Sequence, residues 1–87
     1  MGTSKITADI KSDKSIKKLI DLYVQGRIKE AAEESKKLLR AVPNNIIVLG
    51  IFGASSYRTG NFQDAKNSFS EILKIDPNNV QAYSNLG

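Results

Sequence analysis

The chain has 87 residues, 40% of them hydrophobic, and a chain this short supports one modest core, so a single small folded unit is expected. It contains neither cysteine nor histidine. That excludes disulfide staples, thiolate or imidazole metal sites, the usual general base near neutral pH, and every Ser/His or Cys/His nucleophilic pair. The formal charge of +4 is N-terminal in origin: residues 1–43 hold ten Lys/Arg against six Asp/Glu, and residues 44–87 hold three against three.

Residues 1–12 show no apolar run of signal-peptide length, and no stretch of the chain approaches the ~20 apolar residues of a membrane span. An N-terminal myristoylation motif fails because Ile6 stands where Ser or Thr is required. Residues 1–11 are therefore expected to form a flexible leader, ahead of a domain over 12–87, with no membrane partner and a cytoplasmic location. Lys14, Lys17 and Lys18 form a basic run on the first helix, but no aromatic residue is interleaved with them to stack on bases. A solvated helix face is the reading, and no nucleic-acid partner is expected.

The first predicted helix places Ile16, Leu19, Ile20 and Tyr23 at i, i+3, i+4, i+7 on one apolar face. Gly26 ends it, being tolerant of positive φ. The second helix carries Ala31, Ser35, Leu38, Leu39 and Val42 on one stripe, with Glu30, Glu33 and Glu34 early and Lys36, Lys37 and Arg40 late, an order that suits the helix dipole. Glu33 and Lys37 are spaced for an i,i+4 pair. Pro43 then blocks continuation, and Asn44 or Asn45 is placed to cap the next helix. Residues 46–52, Ile-Ile-Val-Leu-Gly-Ile-Phe, are β-branched enough to suit a buried strand. Helix is nonetheless expected there, because the segments equivalent to it lack that bias. The following elements repeat the logic, with Leu49, Phe52, Gly53 and Tyr57 on one helix and Phe62, Ala65, Phe69, Ile72 and Leu73 on the next.

The organising observation is self-similarity at an offset of 34 residues. Gly26 recurs as Gly60, Ala31 as Ala65, Leu39 as Leu73, and Pro43-Asn44-Asn45 as Pro77-Asn78-Asn79. The same offset takes Leu49 to Tyr83, Phe52 to Leu86 and Gly53 to Gly87. Two full units, 12–45 and 46–79, and the start of a third, 80–87, are expected.

With Leu49, Gly53, Gly60, Phe62, Ala65, Phe69, Leu73 and Pro77 in one frame, the second unit resembles the tetratricopeptide repeat (TPR) family. The resemblance implies an all-α fold, a right-handed α-solenoid of antiparallel helix pairs, in which the glycine of the first helix and the alanine of the second sit at the closest helix approach. Gly53 and Ala65 match that pattern. The first unit departs from it, with Leu19 at the glycine position and Ser15 and Lys18 at two positions that are usually large and apolar.

The resemblance also implies a protein-interaction module that holds a peptide or partner helix in a concave groove. On the family frame that groove takes Ile16, Ile20, Tyr23 and Val24 from the first unit, Ile47, Ile51, Ala54, Tyr57 and Arg58 from the second, and Gln81 and Asn85 from the third. So apolar a lining suggests a hydrophobic or amphipathic segment as partner. Against this stands the reading of these isoleucines as core residues turned inward by a small helix rotation, which weighs most on Ile16 and Ile20. Arg58 reads either as a partner for a carboxylate or as an ordinary solvated arginine. Binding of acidic chaperone tails is not expected, since Ile16, Ile20, Ile51, Gln81 and Asn85 stand where a carboxylate clamp needs lysine, asparagine and arginine. Self-assembly as a homo-oligomer through open repeat ends is the alternative function. No enzyme is expected: Asp21, Asp64, Glu71 and Asp76 do not converge on the helix frame, and no nucleophile motif or phosphate loop accompanies them. No cofactor, metal or catalytic residue is assigned.

Overall fold

The computed structural model describes residues 14–79. Among these, four helices and no strand occur: α1, helical from residue 14 to residue 24, then α2 (Ile28–Leu38), α3 (Ile46–Arg58) and α4 (Phe62–Ile75). No helix among the described residues is long and apolar enough to cross a membrane. The expected third unit, 80–87, and the leader, 1–11, lie outside the described residues.

Each helix pair turns back on itself through a short loop closed by the same backbone bonds. Gly26 and Gly60 adopt φ of +81° and +85°, a conformation that costs an L-residue about 1–2 kcal/mol and glycine nothing. Around them the N–H of Gln25, Gly26 and Arg27 donates to the carbonyls of Asp21, Tyr23 and Leu22, and the N–H of Thr59, Gly60 and Asn61 donates to those of Ser55, Tyr57 and Ser56. Every donor and every acceptor is matched across the two hairpins at the repeat offset. The hairpin connection follows suit: Asn45 N–H donates to Val42 C=O at 3.2 Å and Asn79 N–H to Asp76 C=O at 3.0 Å, closing turns that carry Pro43 and Pro77 at the position where a fixed φ is favourable. The sequence period is thus a period of the backbone.

Of the two asparagines expected at the start of α3, Asn45 is the cap, its side-chain oxygen accepting from Val48 N–H at 3.1 Å. The apolar run that follows is helical, and its composition has a packing cause. Val48 packs into one core cluster with Leu19, Leu22 and Ala31 from the first hairpin, while Leu49 packs into another with Ala65, Phe69 and Ile72. A helix buried from two sides is apolar nearly all round, which imitates a buried strand in sequence. Early α3 meets late α4 (Leu49 with Ile72, and Gly53 with Phe69), so the two helices run antiparallel. Ser68 reinforces this contact by donating its hydroxyl to the carbonyl of Leu49.

The departures of the first unit resolve into an exchange of volume. At the equivalent positions the first hairpin carries Leu19 and Ser35 and the second Gly53 and Phe69, and all four are buried. A Cβ on Gly53 would lie 2.7 Å from Cζ of Phe69, so that ring occupies the space a side chain at 53 would need. In the first hairpin the large residue sits on the first helix and the small one on the second; the Ser35 hydroxyl bonds locally to Ala32 C=O at 2.9 Å. Ser15 and Lys18, the polar departures from two usually apolar positions, are exposed and edge an open depression floored by Leu19, Leu22 and Leu38.

Three expectations need correction. Phe62 is not a core residue: it is 61% exposed and rests edge-on against Tyr57, with ring centroids 5.3 Å apart. Tyr57 accordingly faces outward with it instead of joining the packing face of α3. Lys37 pairs with Glu34 at 3.9 Å, not with Glu33, and Arg27 adds a pair with Glu30 at 3.4 Å. These exposed pairs contribute at most a few tenths of a kcal/mol, on the order of other surface pairs.

Candidate functional site

The helices that open each hairpin, α1 and α3, lie side by side. Leu19 and Leu22 share a cluster with Val48, onto which Ile16, Tyr23 and Ile51 also pack. The Arg58 guanidinium carbon stands 5.4 Å from the centre of the Tyr23 ring, within the range of a cation–π contact. Away from that core, α1 leaves Ile20 and Val24 exposed, the latter at 78%, and α3 leaves Ile47, at 52%, with Tyr57 and Arg58, while Ala54 is half-buried.

The expected site residues separate by burial. Val24, Ile47, Tyr57 and Arg58 are exposed and Ile20 is just so, whereas Ile16, Tyr23, Ile51 and Ala54 are half-buried. Ile16, Tyr23 and Ile51 double as walls of the core cluster beneath. The inward reading therefore holds in part for Ile16 and not for Ile20. Gln81 and Asn85 lie outside the described residues.

Gly50, half-buried on α3, is not among the expected groove residues. It stands in the middle of α3 between Ile47 and Ala54, and a Cβ built on it meets nothing within 4 Å. A helix-interior glycine costs roughly 1 kcal/mol relative to alanine, and among the described residues no neighbour demands it. Phe62, taken for core, extends the apolar surface past Tyr57. Its exposure was not legible because position 62 opens a helix, where one turn of periodicity does not fix the inward side.

Acidic residues are few on these two helices. α3 contains no Asp or Glu, and over residues 14–24 the acids reduce to Asp21. Arg58 makes no ion pair and its side chain no hydrogen bond among the described residues. The carboxylates lie elsewhere: Asp64 and Glu71 edge an open depression with Lys36 and Arg40 between the hairpins, and Asp21 and Asp76 are not part of it. Among the described residues no three His, Cys, Asp or Glu come together as metal ligands would.

No protein-family model matches the chain. Among curated proteins it is similar to the Protein CTR9 homolog of Arabidopsis thaliana, with 34% identity over 67 residues. The aligned part is 75% of this chain and 6% of that protein, so the chain spans a small fraction of its relative's length.

Proposed function

We propose that the chain is a TPR-like α-solenoid segment that binds a peptide or partner helix along the face of α1 and α3, and that it has no catalytic activity of its own. The observation that carries this reading is the row of apolar side chains on that face (Ile20, Val24, Ile47 and Tyr57) standing exposed although both helices already own a buried packing side. Exposed apolar residues gathered on one face mark interaction surfaces more often than exposed residues scattered singly. The matched backbone bonds of the two hairpins support stacking of like units, each burying its neighbour's face. Similarity to a small part of a much longer protein supports a module that serves within a larger chain.

Side-by-side capture from native lysate with the wild-type chain, Val24→Asp and Ile47→Asp tests it. Both positions are exposed enough for the thermal melt to stay unchanged. Loss of the same captured proteins in both variants is expected, and undiminished capture contradicts the groove. Ile51→Asp is a poorer probe, since Ile51 also packs on the core.

The open depression over Leu19, Leu22 and Leu38 favours a second reading, self-assembly through that end of the unit. Sedimentation at rising concentration separates the two, because a monomer throughout removes assembly.

A further inference from the structure

We propose that the partner seated on the α1–α3 face is an amphipathic helix carrying a carboxylate on its polar edge, and that Arg58 is the residue that receives it. This inference rests on the groove reading above and adds the chemistry of the occupant.

Arg58 leaves the C-terminal end of α3 and lays its guanidinium 5.4 Å from the centre of the Tyr23 ring. A guanidinium held over an aromatic ring makes no hydrogen bond by that contact, so its N–H donors stay available to a further partner. An arginine held in this way has lost much of its rotamer freedom before any partner arrives, so less is lost per hydrogen bond formed on binding. Those donors have no acceptor among the described residues. A planar fork of free, positioned donors matches a carboxylate in bidentate geometry.

The surroundings select the rest of the partner. Val24 and Tyr57 adjoin Tyr23 and Arg58 in the chain, and Ile20 and Ile47 continue the apolar surface along the two helices. Gly50 and Ala54 keep the middle of α3 low, with open space above Gly50 among the described residues, so that an approaching backbone meets no bulk from them there. With no acid on α3, nothing on its side of the face competes for Arg58 or repels an acidic residue. An apolar stripe beside an unsatisfied cation is complementary to a helix whose own apolar stripe is bordered by Glu or Asp. A uniformly basic or a uniformly polar peptide does not fit it.

The test uses a family of helical leucine-striped peptides, identical except for one Glu walked along the polar edge, each with its Gln counterpart, titrated against the wild-type chain and Arg58→Gln. At one Glu position the wild-type chain is expected to bind about fivefold tighter than it binds the Gln peptide, the scale of a partly exposed charge-assisted pair. That advantage should vanish in Arg58→Gln, and should shrink with added salt. Tyr23→Leu should reduce it while the charge remains, which separates a positioned arginine from a merely cationic surface. Equal affinity for Glu and Gln peptides at every position, or an advantage that survives Arg58→Gln, overturns the role of Arg58 and leaves the groove standing. Failure of every peptide to bind, Gln series included, overturns both. The melting temperature of each variant is read alongside, and Lys74→Gln, an exposed charge change on α4, serves as the control expected to leave all affinities unchanged.

Discussion

The two hairpins are alike in backbone and opposite in how they fill their cores. Both turn through a positive-φ glycine inside the same set of hydrogen bonds, yet the first packs Leu19 with Ser35 where the second packs Gly53 with Phe69. The backbone of such a unit is therefore specified by turn chemistry and by small residues such as Ala31 and Ala65, while the volume between its helices can be supplied from either side. Total volume and patterning are what a core must conserve.

That comparison can be broken most forcefully at Phe69. Phe69→Ser is expected to cost about 3–5 kcal/mol, the range for emptying a buried aromatic site, measured by chemical denaturation. Gly53→Leu alone should cost about 1–3 kcal/mol through overpacking against the Phe69 ring. The double variant, which transplants the first hairpin's pair into the second, should be much less destabilised than the sum of the singles. Additivity of the two effects would refute the exchange of volume.

The turns sharpen the likeness. Gly26→Ala and Gly60→Ala should each cost about 1–2 kcal/mol from backbone strain, and the two costs should agree within about 0.5 kcal/mol if the units are equivalent. A smaller effect separates the asparagines that precede α3 and α4. Asn45→Ala should cost about 1 kcal/mol because its side chain caps Val48 N–H. Asn61→Ala should cost close to nothing, as Asn61 makes no cap bond and its side chain instead reaches Thr59 on the surface. Smallest of all, Glu34→Gln should change stability by no more than about 0.5 kcal/mol, since its pair with Lys37 is long and exposed.

Much of the fold was legible in the sequence because its punctuation is strict. Glycines, prolines and asparagines recur at one offset, and each has a backbone reason to stand where it does. What resisted was the assignment of side chains near helix ends and on helices with two packing sides. Leu22, buried beside Leu19, falls outside the i, i+3, i+4, i+7 series that starts at Ile16, although it lies one turn from Leu19. Phe62 reads as core by residue type, but it opens α4 on the exposed side, where its ring meets that of Tyr57. Of the residues expected along α1 and α3, Val24, Ile47 and Arg58 are exposed. Two details there were not anticipated: the open space above Gly50, which depends on neighbours remote in sequence, and the stacking of Arg58 on Tyr23, which joins the two units.

The central claim is that α1 and α3 present a shared binding face. It is tested most directly by mapping backbone amide NMR shifts during titration with the leucine-striped peptide that binds best. Perturbations gathered on residues 16–24 and 47–58, with α2 and the outer side of α4 silent, are the predicted result. Perturbations centred on α2 and α4, or spread evenly over all four helices, would contradict it.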